Sequence, residues 1–233
     1  MIEYLEAIDP ITGPAEDPGT NRPMRDTGFA REVFGKSQAQ GPGEDHPMRE
    51  VTRQVAFEAN GWHPGRARKV EALFDSLASE WASRHAEDRL LPLRDALDRG
   101  RVRGNSCHEL GAGTGPGTEV LRKQFDRVYA FDLSREMLRR LDPAWGHRVR
   151  ADGAMLPLAD ASVEVLVLMN MLLFPQEVDR ILAPGGAVVW VNSRGTRTPI
   201  HLPPEDVAAA LPGYWEGHAA QAGQGLWCVL RRA

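Results

Sequence analysis

The chain has 233 residues, 42% hydrophobic and 26% charged, with 23 glycines and 17 prolines spread without a period, which excludes fibrous, collagen-like and largely disordered classes. Its 28 basic and 32 acidic side chains leave a net charge of −4 with no concentrated basic face, so nucleic acid is disfavoured as a partner. The longest apolar run, 165–174, is broken by Asn170 and is too short for a membrane span, and the acidic start Met1-Ile2-Glu3-Tyr4-Leu5-Glu6 is unlike a secretion signal, so the expected location is the cytoplasm.

Residues 9–24 carry turn signals every few positions and no helical or strand period, which reads as loop or arm. A short helix fits 28–34 between Thr27 as N-cap and Gly35, and a loop follows through Gly41-Pro42-Gly43. A further helix fits 48–60. From residue 66 the pattern sharpens: Val70, Leu73, Phe74, Leu77 and Trp81 form one helical stripe. Another short helix, 92–99, has proline in its first turn and glycines at 100 and 104 beyond its end.

Past residue 105 short apolar runs alternate with helical segments. Strands are expected at 106–110, 128–132, 147–150, 163–169 and 187–192, and helices at 117–125, 134–141, 175–182 and 203–211. That alternation is the sequence form of βαβ units around a parallel sheet. Residues 214–222 and 226–231 read as a terminal hairpin joined through Gly223-Gln224-Gly225. Cys107 and Cys228 lie far apart, outside any metal-binding spacing, and read as reduced core residues.

The densest signal is His108-Glu109-Leu110-Gly111-Ala112-Gly113-Thr114-Gly115-Pro116-Gly117, set where a strand ends and a helix begins. Glycines let the backbone turn sharply and approach a ligand closely, with helix N–H groups beyond. Asp132 ends the next strand, where a carboxylate accepts both hydroxyls of a ribose. A dinucleotide fingerprint wants G-x-G-x-x-G, whereas this loop is E-x-G-x-G-x-G with proline at 116 and an acid at 109 that would repel a pyrophosphate. Asp132 also fits the plainer role of preceding a helix N-capped by Ser134.

With this loop and acid, the sequence resembles the class I S-adenosylmethionine (SAM)-dependent methyltransferases over roughly residues 66–233. The matching features are Glu109 to Gly115, Asp132, Ala151-Asp152-Gly153-Ala154 after the third strand, and Leu182-Ala183-Pro184-Gly185-Gly186 before the fifth. The resemblance implies an α/β fold: a Rossmann-like, doubly wound, seven-stranded, mostly parallel sheet with an antiparallel last strand, and a SAM pocket at the strands' C-terminal ends. It also implies that Gly111, Gly113 and Gly115 line the methionine portion, that Glu109 holds the loop, and that Asp132 binds the ribose. Asp152 would face the adenine amino group with the Ala154 backbone beside the ring, and Asn170 would lie beside the methionine and the acceptor. The acid usual on the fourth strand is here Glu164.

The stretch 74–85 resembles the helix that covers SAM in small-molecule methyltransferases, with Trp81 as the aromatic cap; the plainer reading ends the buried stripe at Trp81. Methyl transfer is an in-line displacement helped mainly by positioning and a dry pocket. A hydroxyl acceptor would add a general base, for which His63, His85 and His201 qualify by type, and His85, one turn past Trp81, comes first. Asn170-Met171-Leu172-Leu173 lacks the two prolines found after strand four in nucleic-acid and amide methyltransferases, and no ligand spacing calls for a metal.

The expectation is therefore a methyltransferase that uses SAM, releases S-adenosylhomocysteine (SAH) and acts on a small-molecule acceptor, a class that includes specialised metabolites. Residues 1–65 would form an arm and helices serving as a lid or as the subunit contact of a homodimer, 66–105 a helical cap, and 106–233 the SAM-binding core. The alternatives are a non-catalytic protein of the same fold and an NAD-dependent oxidoreductase, the latter disfavoured by Pro116 and Glu109.

Overall fold

Strand β7 (Val163–Met169) shows how the sheet is built. Val165 and Val167 enter one hydrophobic layer while Leu166 and Leu168 enter the other, so a continuous apolar run is buried on both faces. The computed structural model describes residues 9–12, 15–16, 23–24, 47–81 and 87–233. The helix expected over 28–34, the loop at 41–43 and His85 lie outside these residues.

In chain order the strands are β1 (Asp9–Thr12), β2 (Ala15–Glu16), β3 (Pro23–Met24), β4 (Ser106–Leu110), β5 (Arg127–Asp132), β6 (His147–Arg150), β7, β8 (Leu182–Asn192), β9 (Trp215–Ala222) and β10 (Gly225–Arg232). The α-helices are α1 (Pro47–Phe57), α2 (Pro64–Trp81), α3 (Leu91–Arg99), α4 (Pro116–Leu121), α5 (Arg135–Arg140), α6 (Pro175–Ile181) and α7 (Pro204–Ala210). The main sheet runs β1-β9-β10-β8-β7-β4-β5-β6. Strands β6, β5, β4, β7 and β8 are parallel, and β10 inserts antiparallel between β8 and β9. Without β1 this is the expected seven-stranded sheet with its antiparallel last strand.

Strand β1 departs from the expectation for residues 9–24. It pairs antiparallel with β9, from Asp9 opposite Ala219 to Thr12 opposite Glu216, and β2 pairs with β3 in a separate two-stranded ladder. An edge strand is held by backbone N–H and C=O groups, which need no side-chain period.

One core layer packs Leu110, Phe131, Leu166 and Trp190 against α6 and α7 through Val178, Ile181, Val207 and Leu211. The other packs Val167, Val189 and Trp227 against α3 and the α4 end through Leu93, Leu97, Leu121 and Phe125. Cys107 and Cys228 are free and buried in opposite layers, and burial pushes both thiols well above their ordinary pKa. The stripe on α2 is less buried than its periodicity predicts. Only Ala67 and Ala78 are buried there, and Leu73 is 49% exposed. The helix instead meets α5 largely through polar contacts, described below. No helix among the described residues is long and apolar enough to cross a membrane.

Candidate active site

At the C-terminal end of β4 the chain turns over its neighbour, as the amides of Gly111 and Ala112 both donate to Phe131 O, at 2.9 and 3.0 Å. Gly113 and Gly115 then adopt φ of +57° and +94°, a region that favours glycine, before α4 begins at Pro116. Glu109 lies beneath this turn, 2% exposed, and accepts from the Thr118 hydroxyl at 2.5 Å. Burial raises its carboxyl to about 8, opposed by that hydrogen bond. A side chain at Gly117 would strike Glu109 Oε1, so the acid and the first turn of α4 are packed together. Glu109 thus braces the loop from below.

Asp132, at the end of β5, holds the loop from the side. Its Oδ2 accepts from the Gly113 amide and its Oδ1 from the Ser134 amide, each at 2.8 Å. Burial pushes the carboxyl above its ordinary range, against the pull of those two amides. Ser134 does cap α5, its Oγ accepting from Met137 N at 3.1 Å. Asp75 of α2 reaches the same corner, accepting from Ser134 Oγ and, at 3.2 Å, from Glu136 N. Glu71, one turn earlier, pairs with Arg150 at the end of β6. At the far end of α2, Trp81 Nε1 lies 3.4 Å from where a Cβ on Gly113 would stand, and Phe74 meets its ring edge-on at 5.4 Å. Trp81 therefore sits against the glycine loop.

After β6, Asp152 accepts from the Ala154 amide at 2.9 Å through Oδ1. Both its oxygens also accept from Trp62 Nε1, each at 3.0 Å. Trp62 belongs to the corner between α1 and α2 and meets Phe174 edge-on at 5.3 Å. Met171 bridges the two turns: a side chain at Gly111 would meet its Sδ, and one at Gly153 would meet its Cε at 3.2 Å. Neither Trp62 nor Met171 carries a motif that sequence reasoning could seize on.

Asn170, after β7, has φ of +52°. Its Nδ2 donates to Ser193 Oγ at 3.0 Å and its Oδ1 accepts from Ser193 N at 2.9 Å, so it ties the end of β7 to the end of β8. Glu164 lies at the opposite edge of the sheet, accepting from the amides of Asn105 and Ser106 at the start of β4. Glycine loop, Asp132, Asp152 and Asn170 thus share the C-terminal edge, and Glu164 stands away from it.

Residues 108–190, from β4 through most of β8, match the family profile described as a methyltransferase domain. That stretch of the chain is similar to methyltransferase domains, and the sheet around it has the strand order of the class I SAM-dependent methyltransferase fold. A demethylmenaquinone methyltransferase of Corynebacterium urealyticum is 30% identical over 135 residues, covering 51% of this chain and 57% of that one. The chain thus matches little more than half the length of that curated relative. A solved DhpI–SAH complex aligns with a TM-score of 0.57 and 22% identity, covering 74% of this chain and 99% of its own, a likeness of fold.

The class I methyltransferases imply SAM, and the residues here fit it. Thr114, buried inside the glycine loop, has a hydroxyl with no hydrogen-bond partner, a polar group turned in a place where a ligand would complete it. Acidic acceptors stand at the end of β5 and just after β6, and the loop after the neighbouring β4 carries no side chain at Gly111, Gly113 or Gly115. Of the histidines, His63 caps α2, its ring Nδ1 accepting from Arg66 N at 3.3 Å. His201 is buried, with Nδ1 2.8 Å from Asn192 Oδ1, and burial beside Arg49 lowers its pKa to about 4. An amide oxygen only accepts, so Nδ1 carries a proton toward Asn192.

Proposed function

We propose that the chain transfers a methyl group from SAM to a small organic acceptor. The observation that carries this reading is the bond from the Gly113 amide to Asp132 Oδ2, which locks the loop to the acid at the β5 end. A ribose lying against this corner would meet a carboxylate already oriented, with Asp152 one strand further for the base. Bound SAM supplies an electrophilic methyl on a sulfonium. The chain's own residues then orient the reactants and exclude water, with Glu109 bracing the loop, Gly111, Gly113 and Gly115 beside the methionine portion, and Ala154 beside the adenine.

Helices α1 and α2 serve as the cap of this pocket, with Trp81 covering the methionine end and Asn170 beside the acceptor. The 30% identical relative is named for a methyl acceptor that is a small organic molecule, which supports an acceptor of that class, specialised metabolites included. For a hydroxyl acceptor the base we assign is His85, four positions past Trp81 in the sequence. His63 and His201 are engaged in helix capping and in the β8–α7 connection.

Titration calorimetry with SAM, SAH and NAD tests the cofactor, and SAH release in the presence of a panel of phenols, amines and carbon acids tests the transfer. Binding of SAM and SAH but not NAD, with release stimulated by one acceptor class, is expected. Binding of NAD alone would mean an oxidoreductase, and SAM binding without turnover a non-catalytic relative. His85→Gln should lower kcat with SAM affinity unchanged.

A further inference from the structure

Resting on that cofactor reading, we infer that Trp62, supplied by the N-terminal helices, is the positioning residue that makes this protein select a 6-amino purine. A carboxylate oxygen offers two lone pairs and cannot donate. Asp152 Oδ1 has both of its own engaged, by Ala154 N at 2.9 Å and Trp62 Nε1 at 3.0 Å. Oδ2 has only its share of the same indole N–H, also at 3.0 Å. One acceptor position on Oδ2 therefore stays open, and its direction is set by the indole. A ligand amino group completes it, whereas a ring carbonyl would set acceptor against acceptor.

The indole is itself held. Its ring meets Phe174 edge-on, and Phe174 packs so tightly on the turn after Asp152 that a Cβ at Gly153 would lie 2.8 Å from its Cε2. The corner that presents Trp62 is braced by Arg66, which donates to Gly61 O and, at 2.9 Å, to Gln54 Oε1. A side chain at Gly61 would run into the Gln54 backbone, so the corner is close-packed against α1. The selection thus comes from a segment outside the matched domain at 108–190.

The test is calorimetry with SAH and its 6-oxo counterpart, S-inosylhomocysteine, on the wild-type chain, Trp62→Phe and Trp62→Gln, with thermal unfolding to show that each is folded. The wild type should prefer SAH by at least about tenfold, and Trp62→Phe should reduce that ratio by about fivefold, mostly through weaker SAH binding. Trp62→Gln, which keeps an N–H donor, should recover part of it. A Trp62→Phe protein that keeps the wild-type ratio, whether its affinities are unchanged or fall together, overturns the assignment, as does tighter SAH binding. Wild-type protein that binds neither nucleoside overturns the cofactor reading itself.

Discussion

Helices α2 and α3 follow one another in the chain and are held by opposite means. The nine residues of α3 bury Pro92, Leu93, Ala96 and Leu97 against the sheet, whereas the eighteen of α2 bury only Ala67 and Ala78. Helix α2 is kept in place by Asp75 at the α5 terminus, Glu71 on Arg150 and the packing of Trp81 near the loop. Contacts of that kind contribute little each and are easily exchanged for water. The difference teaches that α3 is part of the body, while α2 owes its place to the same corner that holds Asp132.

The largest test of this contrast compares two aromatic truncations. Trp227 is fully buried under α3 and donates to Asp95 Oδ2 at 2.7 Å, so Trp227→Ala should cost about 3–5 kcal/mol in urea unfolding. Phe74 of α2 is only half-buried, and Phe74→Ala should cost about 1 kcal/mol. Equal losses would erase the distinction.

Ligand binding should rank the other way. Gly113→Val forces a branched side chain into φ of +57° and toward Trp81, and SAH affinity should fall more than about a hundredfold by calorimetry. Asp132→Ala should weaken binding by about 1–3 kcal/mol. Asp75→Ala, which frees α2 from α5, should weaken it by about threefold with the fold intact. In hydrogen exchange, SAH should add protection along α2 and leave α3 unchanged. Equal protection of α2 with and without ligand would show that it does not respond to the cofactor.

What the sequence made legible follows the same divide. Strands 106–110, 147–150 and 163–169 stand where expected; for 163–169 the reason is burial between two helical layers, which writes itself as a short apolar run. The loop, Asp132, Asp152 and Asn170 were placed on one edge by the family resemblance that the motifs carry. The period of α2 was readable, but a stripe fixes only which residues share a face, not how deeply that face is covered. Trp62 was invisible because its meaning lies in a carboxylate 90 positions away. Strand β1 was invisible because backbone pairing leaves no pattern in side chains.

The smallest expected effects are in pH. Glu109 titrates near 8 in the folded chain against an ordinary 4.5, so the folded form keeps a proton that the unfolded chain releases. Its contribution is complete below about 4.5 and is lost as pH rises toward 8. His201 is opposite, held neutral down to about 4 against 6.5, so its contribution is complete above about 6.5 and is lost as pH falls toward 4. Melting temperatures of Glu109→Gln and His201→Asn across pH 4 to 9 should flatten the alkaline and the acid limb respectively, each by a few degrees.

Strand β1 has a consequence for solubility. Without it, the sheet would end in β9, eight residues of unpaired backbone ready to template another chain. With it, that border is a four-residue strand containing Pro10, which has no N–H to offer, and the opposite border is β6, four residues with arginines at 148 and 150. Among the described residues both borders are short, and short borders offer little backbone to a neighbouring chain.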